Sequence, residues 1–150
     1  MASIYYSGMF NTCEYIILGE ANKVRNIKEG GDFWERIKSF LDGKDTVCSE
    51  IFIWDQNFKK GDVVVLEVLS GGEFLKVGFI KMFLIKGDKV YFAVREYVSR
   101  QTELGFYVTT HVTAETKFVS KLVDNKPLIM RGTSVKFQFV LHHHISFDYG

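Results

Sequence analysis

The chain has 150 residues, of which 47% are hydrophobic and 15% aromatic. That is enough apolar surface to fill one core, so the composition excludes bulk disorder and predicts a single domain over residues 1–150. Nineteen Lys and Arg residues against 18 Asp and Glu give a formal charge of +1. This balance leaves nucleic acid open as a partner but does not support it, because phosphate-backbone binders usually carry a larger basic excess.

The sequence lacks the marks of a membrane or secreted protein. No unbroken apolar segment reaches the length of about 18 residues that a spanning helix needs, and the N-terminus has no basic head before an apolar stretch. Cys13 and Cys48 are too few for a paired C-x2-C zinc site. We therefore expect reduced thiols in an intracellular, nuclear or cytoplasmic protein, with a single disulfide as the alternative. The Met1-Ala2-Ser3 start leaves open that the chain is a fragment of a longer protein.

The first third of the chain predicts short strands around one helix. Residues 4–10, 14–19 and 50–54 are aromatic and β-branched, which favours strands, and residues 55–57 predict a turn. The charged segment 21–31 predicts a surface loop.

The helix is predicted over residues 32–41. Asp32 is at the position of an N-cap, and Glu35 follows three residues later, as in a capping box. Apolar residues near helical spacing form one stripe that predicts packing on a face or open end of the sheet. They are Phe33, Ile37, Phe40 and Leu41.

Residues 59–97 predict three consecutive antiparallel strands. The first is rich in Val, and Gly71-Gly72 and Gly87-Asp88 mark the two turns. The second strand is apolar on both faces, so we expect a central or bent strand, with a bulge or a bend at Gly78. Further strands are predicted at the positions 104–113, 116–123, 128–131 and 134–147. The predicted fold is mostly β, a small, partly open antiparallel β-barrel with one short α-helix.

Three segments of this region carry a family resemblance. They are Gly61-Asp62-Val63-Val64, Val77-Gly78-Phe79-Ile80 and a third strand with Phe92 and Arg95. In this order they resemble the core of bromo-adjacent homology (BAH) domains and related Tudor-like barrels. The layout is also similar to C-terminal regions of uncharacterised, mobile-element-associated animal proteins, which imply no activity.

The resemblance implies a non-enzymatic protein-interaction module that binds a peptide on chromatin. Modules of this kind hold methylated lysine between aromatic rings, or add an extended peptide to a sheet edge. Trp54, Tyr97 and Tyr107 are the aromatic residues nearest predicted strand ends, so they are the candidate binding residues. No cofactor is predicted.

The histidines offer two enzymatic alternatives. His111, His142 and His144 form a set that is compatible with zinc if the two predicted strands are neighbours. His111-Val112-Thr113 and His144-Ile145-Ser146 are both His-x-Thr/Ser, the paired motif of two-histidine phosphoesterases. In such enzymes one imidazole is the base, the other is the acid, and the hydroxyls hold the phosphate.

A third alternative is a self-associating structural domain. In this hypothesis, residues 104–110 lie at an uncovered strand edge and pair with the same strand of a second copy, which gives a homodimer.

Overall fold

The computed structural model describes residues 3–6, 14–101, 107–128, 130–132 and 137–139, with the side chains of residues 14–101 and 116–128. These residues form twelve strands, one α-helix and two 3-10 turns, Val24–Asn26 and Ser70–Gly72. In chain order, the strands and the helix are β1 (Ser3–Tyr6), β2 (Glu14–Ile17), β3 (Ala21–Lys23), α1 (Asp32–Phe40), β4 (Thr46–Cys48), β5 (Glu50–Ile53), β6 (Gln56–Lys59), β7 (Val63–Leu69), β8 (Phe74–Lys86), β9 (Lys89–Gln101), β10 (Tyr107–Val119), β11 (Met130–Gly132) and β12 (Phe137–Phe139).

The strands belong to two antiparallel sheets. The first has the order β1-β2-β5-β6, and the second has the order β11-β12-β10-β9-β8-β4-β3 with β7 also paired to β8. Neither strand order returns to its start within the described part of the chain, so the sheets are open there. The mostly β prediction is confirmed, whereas closure into a barrel is not.

Strand β8 lies at the centre of the second sheet. Its 13 residues pair with β9 along one edge, while the other edge pairs first with β7, at Phe74–Phe79, and then with β4, at Phe83–Ile85. The predicted meander of β7, β8 and β9 is therefore confirmed. The two-residue turn Gly87-Asp88 joins Lys86 to its partner Lys89, and Gly87 has the positive φ that such a turn requires.

The bulge in β8 is at Lys81 rather than at the predicted Gly78. The pairing with β9 shifts between Ile80 and Met82, whereas Gly78 is regularly paired with Val64 and Glu96. The extra residue reverses the alternation, so Ile80 and Phe83 face the same core.

An inner core joins the two sheets. Residues of β2, β5 and β6 contact residues of the second sheet in one buried cluster. Its members are Tyr15, Cys48, Ile51, Ile53, Phe58, Val64, Ile80, Phe83, Ile85, Val90, Phe92 and Val94. A second cluster is formed by β7 and β8 together with Leu128, whose N–H donates to the Val63 carbonyl at 2.7 Å.

Helix α1 covers one face of the second sheet. Ile37 is fully buried and packs with Leu41, Val47, Leu84 and Ala93 in a third cluster, which confirms the predicted apolar stripe. The predicted cap is wrong, because Gly31 is the N-cap and no side chain caps the helix. Asp32 instead lies in the first turn, where a negative charge complements the helix dipole.

Several predicted boundaries also differ. Part of the predicted loop 21–31 is β3 and a 3-10 turn, because Ala21–Lys23 pairs with β4. The predicted turn 55–57 is a turn at Trp54-Asp55 followed by β6. The predicted strands 104–113 and 116–123 are one strand, β10, with a register shift between Val112 and Thr116. Of the predicted strand 134–147, only β12 is among the described residues.

In the part of the chain that the structure describes, no helix has both the length and the apolarity needed to cross a bilayer.

Candidate functional site

The hairpin between β5 and β6 turns through Trp54 and Asp55 in an unusual backbone conformation. Both have positive φ, 54° and 59°, which is the pattern of a type I′ turn. Such turns favour Asn-Gly because the left-handed region costs other residues about 1–2 kcal/mol each. A bulky residue there is an outlier, and outliers of this kind concentrate at ligand-binding sites.

Aromatic packing holds the Trp54 side chain in place. Its ring stacks on Phe92 with centroids 5.7 Å apart and an interplanar angle of 15°, and it meets Phe58 edge-on at 6.0 Å. Phe58 and Phe92 are fully buried, whereas Trp54 is only half-buried. The indole is therefore fixed on one face by the inner core and partly open to solvent.

Of the two other predicted binding residues, Tyr97 is placed by the structure away from Trp54. The Tyr97 ring packs against Phe79, with centroids 5.8 Å apart, beside the second cluster. Because Tyr97 and Phe92 are an odd number of residues apart in β9, their side chains lie on opposite faces of the sheet. Tyr107 begins β10 and pairs with Gln101 and Phe139 through the backbone, but its side chain is outside the described ones. A cage that combines Trp54 with Tyr97 is excluded by this placement.

The histidine hypotheses concern residues that are largely beyond the described side chains. His111 and Thr113 are in β10, where His111 pairs with Val98, and only their backbone is described. His142, His144 and Ser146 lie outside the described residues. Among the side chains that the structure describes, no three His, Cys, Asp or Glu residues are grouped as metal ligands. Both enzymatic alternatives remain predictions.

Cys48 and Asp62 have raised pKa values, and the surroundings of both indicate a structural role. Burial raises the pKa of the Cys48 thiol to about 12, and the thiol is free, so Cys48 is neither in a disulfide nor ionised at neutral pH. Burial also raises the pKa of Asp62, although a hydrogen bond and the charge of Lys59 act in the opposite direction. The Asp62 carboxylate accepts the Lys59 N–H at 2.9 Å and so closes the turn between β6 and β7.

One ion pair is anchored in the interior of the second sheet. The Lys117 ammonium lies 2.8 Å from the Glu96 carboxylate, whose side chain is only 7% exposed. Lys117 is 44% exposed and thus reaches the buried acid from the surface. The pair joins β9 to β10, which makes it a structural contact of the sheet.

Sequence reasoning missed a surface where three cations lie over three aromatic rings. We call it the cation–aromatic surface and define it by Arg36, Phe40, Lys86, Lys89, Tyr91 and Phe118. Arg36 and Phe40 are four residues apart in α1, so their place on the same side of the helix is predictable from the sequence. The contact of Phe40 with Phe118, at 5.0 Å, depends on pairing between distant strands and was not readable from the sequence.

Comparisons with known proteins gave no match: no family model, no curated protein and no solved structure is similar to this chain.

Proposed function

We propose that this protein is a non-enzymatic interaction module that binds an extended peptide beside Trp54. The observation that carries the proposal is the half-buried indole, held in a left-handed turn by stacking on Phe92. A rigid, partly exposed Trp is well suited to anchor a peptide side chain, because little conformational entropy is lost when it binds.

The neighbouring strand β6 supports peptide addition at one residue. In a two-residue hairpin, the residues next to the turn exchange hydrogen bonds with each other, so Gln56 and Phe58 face β5 and Asn57 and Lys59 face outward. The Lys59 N–H and carbonyl are both bonded to Asp62, at 2.9 and 3.0 Å. Among the described residues, the backbone of Asn57 is thus the open site on this edge, directly beside the Trp54 turn.

The proposed ligand class follows from the resemblance of the central strands to BAH and Tudor-like barrels. In this hypothesis the two open sheets act as a partly open barrel, and the peptide is a lysine-containing segment of a chromatin protein. A methylated ammonium group on the outer face of Trp54 would add cation–π attraction, which the indole ring provides better than Phe or Tyr.

Fluorescence anisotropy with labelled histone-tail peptides, unmodified and trimethylated on lysine, tests this proposal. Trp54→Gly removes the ring but suits the positive φ of the turn, so we expect it to weaken peptide binding at least about tenfold without loss of the hairpin. Asn57→Pro removes the outward N–H at an edge position that tolerates proline, and we expect a similar loss. Trp34→Phe is the matched control and should bind like the wild type.

Two results would overturn the proposal. One is peptide binding that is absent from the wild type or equal in wild type and Trp54→Gly. The other is turnover of a cyclic phosphodiester that His111→Ala or His144→Ala abolishes, which would establish the two-histidine alternative instead.

A further inference from the structure

The cation–aromatic surface is continuous across three elements. Phe40 of α1 meets Tyr91 of β9 at 4.9 Å and Phe118 of β10 at 5.0 Å, so the three rings are in contact. A cation lies over each ring: Lys86 is 4.4 Å from the Phe40 centroid, Lys89 is 5.3 Å from Tyr91, and Arg36 is 5.6 Å from Phe118. All three cations are exposed and the rings are half-buried.

The rings fix the positions of these charges. A cation within about 6 Å of a ring centroid is attracted by the ring quadrupole, which limits the motion of a long side chain. Lys86 has a further task, because its ammonium donates to the Phe40 carbonyl at 2.8 Å at the end of α1. Arg36 and Lys89 are thus the two positioned cations that remain available to a ligand.

These two cations are not neutralised within the described residues. The ion pairs there join Lys76 to Glu67, Arg100 to Glu73 and Lys117 to Glu96, and none involves Arg36 or Lys89. The exposed acids next to them in sequence are Glu35 and Asp88. The surface therefore presents preorganised donors for carboxylate groups, with two nearby acids that limit its positive potential.

We propose that the cation–aromatic surface binds an acidic segment of a partner protein, through carboxylates that pair with Arg36 and Lys89. Single-stranded nucleic acid is disfavoured for two reasons. Base stacking needs open ring faces, and here the cations lie over the rings. The formal charge of the whole chain is only +1.

Fluorescence anisotropy on the full chain tests the proposal. The two fluorescein-labelled probes are a Glu- and Asp-rich peptide of about 12 residues and a single-stranded DNA of about 12 nucleotides. We expect the double variant Arg36→Gln/Lys89→Gln to bind the acidic peptide at least about tenfold more weakly than the wild type. Lys60→Gln/Lys126→Gln removes two exposed lysines elsewhere on the chain and is the matched control, with an expected change below about twofold.

The nearby acids give a test in the opposite direction. Glu35→Gln/Asp88→Asn removes repulsion and should strengthen binding of the acidic peptide about two- to threefold. An equal loss of peptide affinity in Arg36→Gln/Lys89→Gln and in the control Lys60→Gln/Lys126→Gln would overturn the proposal. Tighter binding of the DNA than of the acidic peptide by the wild type would also overturn it. Trp54→Gly should leave binding of the acidic peptide unchanged, so this surface and the Trp54 site can fail independently.

Discussion

Gly78 lies in β8 close to a side chain of the neighbouring strand β9. A Cβ atom at this position would lie 2.8 Å from the Cβ of Val94, a fully buried residue of β9. Because Cβ is bonded directly to the backbone, a change of the Val94 rotamer does not relieve this contact. Glycine at this position therefore serves packing, and not the bulge that the sequence predicted.

Gly78→Ala should lower the free energy of unfolding by about 1–3 kcal/mol, because overpacking a filled core forces side chains or backbone to shift. Urea denaturation measures the effect. Val94→Ala in the same chain removes the two methyl carbons, which would lie 3.0 and 3.1 Å from the added Cβ, but keeps the Val94 Cβ. The clash is therefore relieved in part, and the double variant should be less destabilised than the sum of the two single variants. Gly30→Ala is the control, since no atom of the described residues lies within 4 Å of its added Cβ. Additive effects at 78 and 94 would contradict this role of the glycine.

At the scale of elements, a lysine from β8 joins the β8–β9 hairpin to the end of the helix. The Lys86 ammonium donates to the Phe40 carbonyl, one of the last carbonyls of α1, and lies over the same residue's ring. A cation at a helix C-terminus also complements the helix dipole.

Lys86→Met keeps the aliphatic stem but removes the donor and the charge. We expect a loss of about 0.5–1.5 kcal/mol in the free energy of unfolding, measured by thermal or urea denaturation. Lys89→Met removes a cation from a ring without breaking a described hydrogen bond, so its effect should be smaller. Equal stability of the wild type and Lys86→Met would show that the contact does not stabilise the helix.

Elements with a strong local pattern were predictable, and those that depend on distant partners were not. The apolar stripe of α1 follows helical periodicity, and β7 is a β-branched run bounded by turn residues, so both are predictable from local sequence. Strand β6, with the sequence QNFK, has little β propensity and forms because β5 pairs with it. The place of Trp54 at a strand end is visible in the sequence, but its positive φ depends on the pairing of β5 with β6.

At the scale of the whole molecule, the inner core makes the two sheets depend on each other. Trp54 packs against this core beside the first sheet, whereas Trp34 of α1 packs against the cluster on the other face of the second sheet. The barrel prediction needed the order of the strands, which is set by contacts such as that of β2 with β5 and not by any local pattern.

The two tryptophans provide a test of the predicted single domain. In variants with only Trp34 or only Trp54, fluorescence should report the same urea midpoint, because a shared core unfolds cooperatively. The other tryptophan is replaced by Phe in each variant. The urea midpoint of each variant is also measured by circular dichroism, which corrects for the change in stability that the substitution causes. Midpoints that differ after this correction would show that the first sheet and the helical face unfold as separate units.

The extra residue at Lys81 also constrains how this sequence can change in length. Deletion of one residue there would exchange the surroundings of every side chain that follows in β8, so that Phe83 would be directed toward α1 and Leu84 toward the first sheet. A residue added to the exposed turn at Gly87-Asp88 leaves that assignment intact. We therefore expect natural insertions and deletions to be tolerated at the tip of this hairpin and rejected a few residues earlier.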